Sequence, residues 1–135
     1  MSLQIARRER EGIVIFDLTG RLVVGPSTDQ FRSTVDASIK AGQPNIILNL
    51  QGVEYVDSTG LGALVLCYTH SQKAGGALRL LNLNKRDMEL LVLTKLTTIF
   101  DVYAEELDAV NSYFPDREIK RFDILSFVRQ SRDED

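Results

Sequence analysis

The chain has no tryptophan, one cysteine, one histidine and three prolines in its 135 residues. A single cysteine, Cys67, excludes an internal disulfide and makes a reducing compartment the default. One Cys and one His cannot assemble a metal cluster unless carboxylates supply most of the ligands, so no metal and no cofactor is expected. No stretch approaches the ~20 apolar residues of a membrane span. Met1 to Gly12 carries Arg7, Arg8, Glu9, Arg10 and Glu11 and lacks the apolar core of a signal peptide. A cytoplasmic protein with no membrane partner is the expectation. Positive charge is not in excess either. Sixteen Lys and Arg against 19 Asp and Glu leave a net charge of -3, which argues against a nucleic-acid binder.

What is present is ordinary globular material, 44% hydrophobic and 26% charged. A chain this long suits one domain that buries roughly two-thirds of its unfolded surface. Ile13 to Leu18 is a β-branched and aromatic run, which reads as a strand. Leu3, Ile5 and Arg7 suggest a weaker edge strand before it, with Glu11-Gly12 as the hairpin turn. Pro26 to Gln30 reads as a helix start, with Ser27 and Gln30 spaced as a capping box. Phe31, Val35 and Ile39 recur at four-residue spacing, and Ala41-Gly42 ends that helix. Asn45 to Leu50 fits a strand covered on both faces, and Gly52 to Asp57 reads as a connector.

From Ser58, the stripe Leu61, Leu64, Val65 and Tyr68 predicts a second helix, closed at Lys73 to Gly76. Ala77 to Leu83 predicts a buried strand. Asn84 would cap a third helix with Asp87 in its first turn and Met88, Leu91 and Val92 facing inward. Ile99 to Tyr103 reads as a last strand, and Glu105 to Tyr113 as a short helix. Strands alternating with about four helices imply an α/β fold with a mixed, mostly parallel sheet and an antiparallel edge strand at the N-terminus. The domain is expected over 1-114, with 115-135 as an extension. Ile119, Phe122, Leu125 and Phe127 suggest that the extension forms a helix docked on the domain or on a second copy, as in a homodimer, before a disordered Arg-Asp-Glu-Asp end.

The most informative stretch is Val53 to Val65. It follows a buried strand and opens a helix, where backbone N–H groups are free and small residues permit close approach. Asp57 or Ser58 can cap that helix. A phosphate on Ser58 would meet the helix N-terminus, which tolerates it, and would add ~-1.5 to -2 charge beside Asp57. Gly60-Leu61-Gly62 is no dinucleotide fingerprint, because position 65 is Val, and Gly75-Gly76 is not followed by Lys-Ser/Thr. Gly-x-Ser-x-Gly is absent, since Val56 stands two residues before Ser58. His70 is read as a surface or half-buried residue rather than a catalytic base, and Cys67 as a core thiol.

With Leu18-Thr19-Gly20-Arg21-Leu22, Ile47-Leu48-Asn49-Leu50, Val56-Asp57-Ser58-Thr59-Gly60-Leu61-Gly62 and Leu93-Thr94-Lys95-Leu96 before Phe100, the span from Leu3 to Tyr113 resembles the STAS domain of bacterial anti-sigma factor antagonists (anti-anti-sigma factors). The resemblance implies a non-enzymatic regulator of transcription in stress responses. Ser58 would be phosphorylated by a serine kinase that is itself the anti-sigma factor, with Thr59 as a second candidate acceptor. The unphosphorylated form would bind that kinase and release the sigma factor, and a PP2C-type phosphatase would reset it. Asp57, Ser58, Thr59, Gly60, Leu61 and Gly62 would lie in the kinase contact. Val23-Val24-Gly25-Pro26 stands where many members carry an Asp, and Lys95 where Gly is frequent. With the extension, these differences suggest as the alternative a scaffold subunit of a stressosome-like assembly. A small enzyme acting on nucleotides is a third reading, without a base, metal set or phosphate loop to support it.

Overall fold

The computed structural model describes residues 3-134. Five strands form one sheet in chain order: β1 (Gln4–Arg10), β2 (Ile13–Leu22), β3 (Ile46–Val56), β4 (Leu78–Leu81) and β5 (Val102–Tyr103). β1 pairs antiparallel with β2, and the remaining pairings are parallel. Glu11 and Gly12 both adopt positive φ, the geometry of a two-residue turn that follows the twist of a hairpin. Between the parallel strands run α1 (Pro26–Lys40), α2 (Ser58–Lys73) and α3 (Lys85–Leu93). Each right-handed crossover advances the sheet by one strand, so these three helices fall on the same face. The main core lies there, joining Phe16, Leu18, Leu48 and Leu80 of the sheet to Phe31, Leu64, Cys67 and Leu91 of the helices.

The opposite face is covered only in part. There Ile13, Ile15, Ile47, Leu81 and Tyr103 meet Ala109 and Val110 of α4 (Glu106–Asn111). At the other end of that face, Thr19, Arg21, Gln51 and Tyr55 are exposed.

Several sequence expectations shift for identifiable reasons. Ser27 does not cap α1: Gly25 holds that position without a side-chain bond, and Ser27 Oγ accepts from the Leu3 N–H at 3.3 Å. Residues 52-56 are not a connector, because β3 continues to Val56 and only Asp57 separates it from α2. Two register shifts against β2 break its alternation, and a Cβ at Gly52 would stand 2.8 Å from the Leu18 carbonyl oxygen. Asp57, not Ser58, caps α2. β4 and β5 are shorter than the expected strands, a 3-10 turn at Leu96–Thr98 taking up part of the approach to β5. Lys95, before that turn, is left-handed with φ 62, which is why a glycine suits the position.

The extension ends in α5 (Ile124–Glu134). The Phe122 N–H donates to the Val102 carbonyl at 3.1 Å, and Ile124 and Val128 are buried in the main core beside α3. The final Arg-Asp-Glu-Asp, expected to be disordered, enters α5 as far as Glu134, and Asp135 lies outside the described residues.

Candidate functional site

The corner between β3 and α2 is built around one carboxylate. Asp57 is extended, and its Oδ1 accepts the Gly60 N–H at 2.8 Å, satisfying one of the free donors of the helix start. Its Oδ2 accepts the Val24 N–H at 2.9 Å, from the loop between β2 and α1. One side chain therefore clamps two segments that are 33 residues apart. Backbone N–H groups of Gly60 and then Val24 hold its carboxyl below the ordinary aspartate range.

Gly60 is demanded by packing. A Cβ there would stand 1.9 Å from the Leu22 carbonyl oxygen, which also accepts the Asp57 N–H at 3.1 Å. The first turn of α2 thus lies directly on the end of β2. Leu61 is buried in the core behind it. Gly60 and Leu61 accordingly shape the corner from beneath and offer little surface. Ser58 and Thr59 are exposed, and so is Gly62, where an added Cβ would meet nothing within 4 Å.

The site residues therefore separate into a buried pair and an outer group. Ser58, Thr59 and Gly62 continue through Leu66, 36% exposed, along one side of α2, and no charged side chain occurs between Ser58 and Thr69. Val24, 71% exposed, adds a bare apolar side chain beside the Asp57 clamp. In the sequence only the resemblance marked Val23 to Pro26, where many members carry an Asp; the bond to Asp57 comes from the folded β2–α1 loop.

Other candidates fall outside this corner. His70 Nδ1 lies 2.9 Å from Asp36 Oδ1 and ties α2 to α1, three helical turns from Ser58. Cys67 is fully buried, and burial pushes its thiol up to about 12, which leaves it protonated and unreactive. Among the described residues no group of three or more His, Cys, Asp or Glu is placed to hold a metal ion. No helix among them is long and apolar enough to cross a membrane.

Comparison with known proteins agrees with this architecture. The STAS domain family matches residues 4–109. The chain is similar to an anti-sigma F factor antagonist of Paenibacillus polymyxa, 31% identical over 111 residues, which is 82% of this chain and 94% of that protein. A Thermotoga maritima structure, described as a candidate anti-sigma factor antagonist, superposes with a TM-score of 0.76 at 26% identity, over 80% of this chain and 92% of that one. The Bacillus cell fate determinant SpoIIAA, solved in its phosphorylated form, gives a TM-score of 0.64 at 21% identity, over 83% of this chain and 99% of its own. With most of its length matched, the chain belongs to the STAS domain family, and a curated relative is an anti-sigma F factor antagonist.

Proposed function

We propose that this chain is a non-enzymatic, cytoplasmic anti-sigma factor antagonist switched by phosphorylation of Ser58. Unphosphorylated, it binds an anti-sigma factor serine kinase and releases the sigma factor. Phosphorylation by that kinase ends the complex, and a PP2C-type phosphatase restores it. The working unit is the domain over 1-114, with 115-135 as its extension.

The observation that carries this reading is the exposed Ser58 hydroxyl on the first turn of α2, bordered by a charge-free strip. A kinase can reach that oxygen without unfolding anything. A docked partner would cover Ser58, Thr59, Gly62, Leu66 and Val24 while Asp57, Gly60 and Leu61 hold the corner rigid. In the free protein a phosphate at this place costs the fold little, because the helix N-terminus favours negative charge. In the complex it puts a dianion into an apolar contact beside Asp57. Such a buried clash costs several kcal/mol, and about 2.7 kcal/mol already changes affinity by roughly a hundredfold.

The experiment is a binding series with the serine kinase. Ser58→Asp is expected to melt within a few degrees of wild type but to lose kinase binding, and Ser58→Ala to bind without being switched off. A Ser58→Asp protein that binds as tightly as wild type contradicts the switch. The scaffold reading leans on the extension and on the missing Asp after Leu22; the extension buries Ile124 and Val128 in this chain's own core, while Ile119, Leu125 and Phe127 stay exposed.

A further inference from the structure

On the rim of the sheet beside this corner lies a recess of about 340 Å³ lined by Arg21, Glu54, Tyr55 and Arg86. Arg21 is the last residue but one of β2, Tyr55 the last but one of β3 and paired with it, and Arg86 stands in the first turn of α3. The Arg86 guanidinium lies 5.3 Å from the centre of the Tyr55 ring, which is itself 40% exposed. Arg21 reaches only as near as 3.8 Å to Glu54, and both side chains are more than half exposed. Arg86 makes no ion pair among the described residues. Arg86 also attracts the buried Asp87 carboxyl beside it, and neither guanidinium makes a close hydrogen-bonded ion pair among the described residues.

Two features make this patch costly for the isolated domain. A cation in the first turn of a helix opposes the helix dipole. A large aromatic ring left open at the end of a strand forgoes its burial. Both costs are recovered when an anion and its carrier cover the rim. The patch holds two guanidiniums, one flat ring and one weakly paired carboxylate. The recess is open and its two guanidiniums stand on different elements, so a small free anion meets only part of it. An acidic side chain on a protein already held next door gains from proximity. Tyr55 is three residues before Ser58, about 10 Å along extended chain.

We infer that Arg21, Tyr55 and Arg86 receive an acidic segment of the same protein partner that covers the Ser58 corner. This rests on the proposed role of that corner. The arginines act on encounter and orientation, as charges at an interface rim do, and the Tyr55 ring supplies the flat contact between them. The Ser58 phosphate then opposes an acidic partner as a like charge, in addition to crowding the apolar strip.

The first test uses a hexaglutamate peptide titrated into the 15N-labelled full chain at low salt. The expected amide shifts lie at Arg21, Glu54, Tyr55, Lys85 and Arg86, fade as salt is added, and vanish in an Arg21→Ala, Arg86→Ala double variant. Shifts scattered over the surface, or equally strong local shifts with inorganic phosphate or ATP, overturn the assignment to an acidic segment. The second test is association kinetics with the serine kinase that modifies Ser58. Arg86→Glu is expected to slow association about tenfold and flatten its salt dependence, with the fold kept and melting equal to or slightly above wild type. If wild type and Arg86→Glu associate equally fast, this inference fails while the Ser58 switch stands. If Ser58→Asp binds normally yet Arg86→Glu does not, the switch fails and the acidic contact stands.

Discussion

At the scale of single residues, the two glycines of the α2 start do opposite things. Gly60 sits against the Leu22 carbonyl oxygen, so Gly60→Ala must push α2 off β2. Overpacking of this kind costs typically about 1–3 kcal/mol, read as a lower denaturant midpoint. Gly62 has open space where a methyl group would go. Gly62→Ala is therefore expected to stabilise the free protein by about 0.5–1 kcal/mol, because glycine inside a helix is entropically costly. The same substitution should weaken kinase binding, since the fold gives no other reason for a glycine there. A further residue-level prediction concerns Asp87, 2% exposed with neither carboxylate oxygen hydrogen-bonded. Burial pushes its carboxyl up to about 6. The folded protein then holds this proton more tightly than the unfolded chain, so the group costs no stability below about pH 4 and destabilises increasingly as pH rises to about 6. Asp87→Asn should raise the melting temperature at pH 8 and lose most of that advantage by pH 4, as thermal unfolding at the two pH values would register.

Among elements, legibility followed locality. Asn84 was readable as the cap of α3, and its side chain does accept the Asp87 N–H at 2.7 Å, because a cap is decided within four residues. The second half of β3 was not readable. Its alternation fails at two register shifts that only the pairing with β2 produces. The start of α1 misled for a similar reason, since Ser27 accepts from Leu3, just before β1, rather than from its own helix. α5 shows the limit most clearly. Ile119, Phe122, Leu125 and Phe127 predicted a docking helix, but of these only Phe122 packs against the core; Ile119, Leu125 (51% exposed) and Phe127 are exposed, and the helix docks through Ile124 and Val128 instead. Ile124→Ala should cost about 2–4 kcal/mol in urea unfolding and Leu125→Ala close to nothing. Equal effects would mean that α5 is not seated as described.

For the molecule as a whole, the sheet order puts α1, α2 and α3 on one face and leaves the rim at the ends of β2 and β3 open. Ser58, the charge-free strip of α2, Val24 and the Arg21–Tyr55–Arg86 patch all gather on or beside that rim. The contiguous part, Asp57 to Gly62, was visible in the sequence as a string. Of its neighbours, Val24 was marked only by the resemblance and Arg86 not at all, since the clamp at Asp57 and the docking of α3 on β3 bring them there. The account makes this rim a contact surface whose affinity depends on one phosphate, while the core beneath stays unchanged. The most direct measurement is calorimetric titration of the serine kinase with two preparations, unmodified and stoichiometrically phosphorylated, the modified residue having been mapped by mass spectrometry. The account predicts one phosphate, on Ser58, and a loss of affinity of roughly a hundredfold or more. A phosphate mapped elsewhere, or two preparations that bind alike, would contradict it.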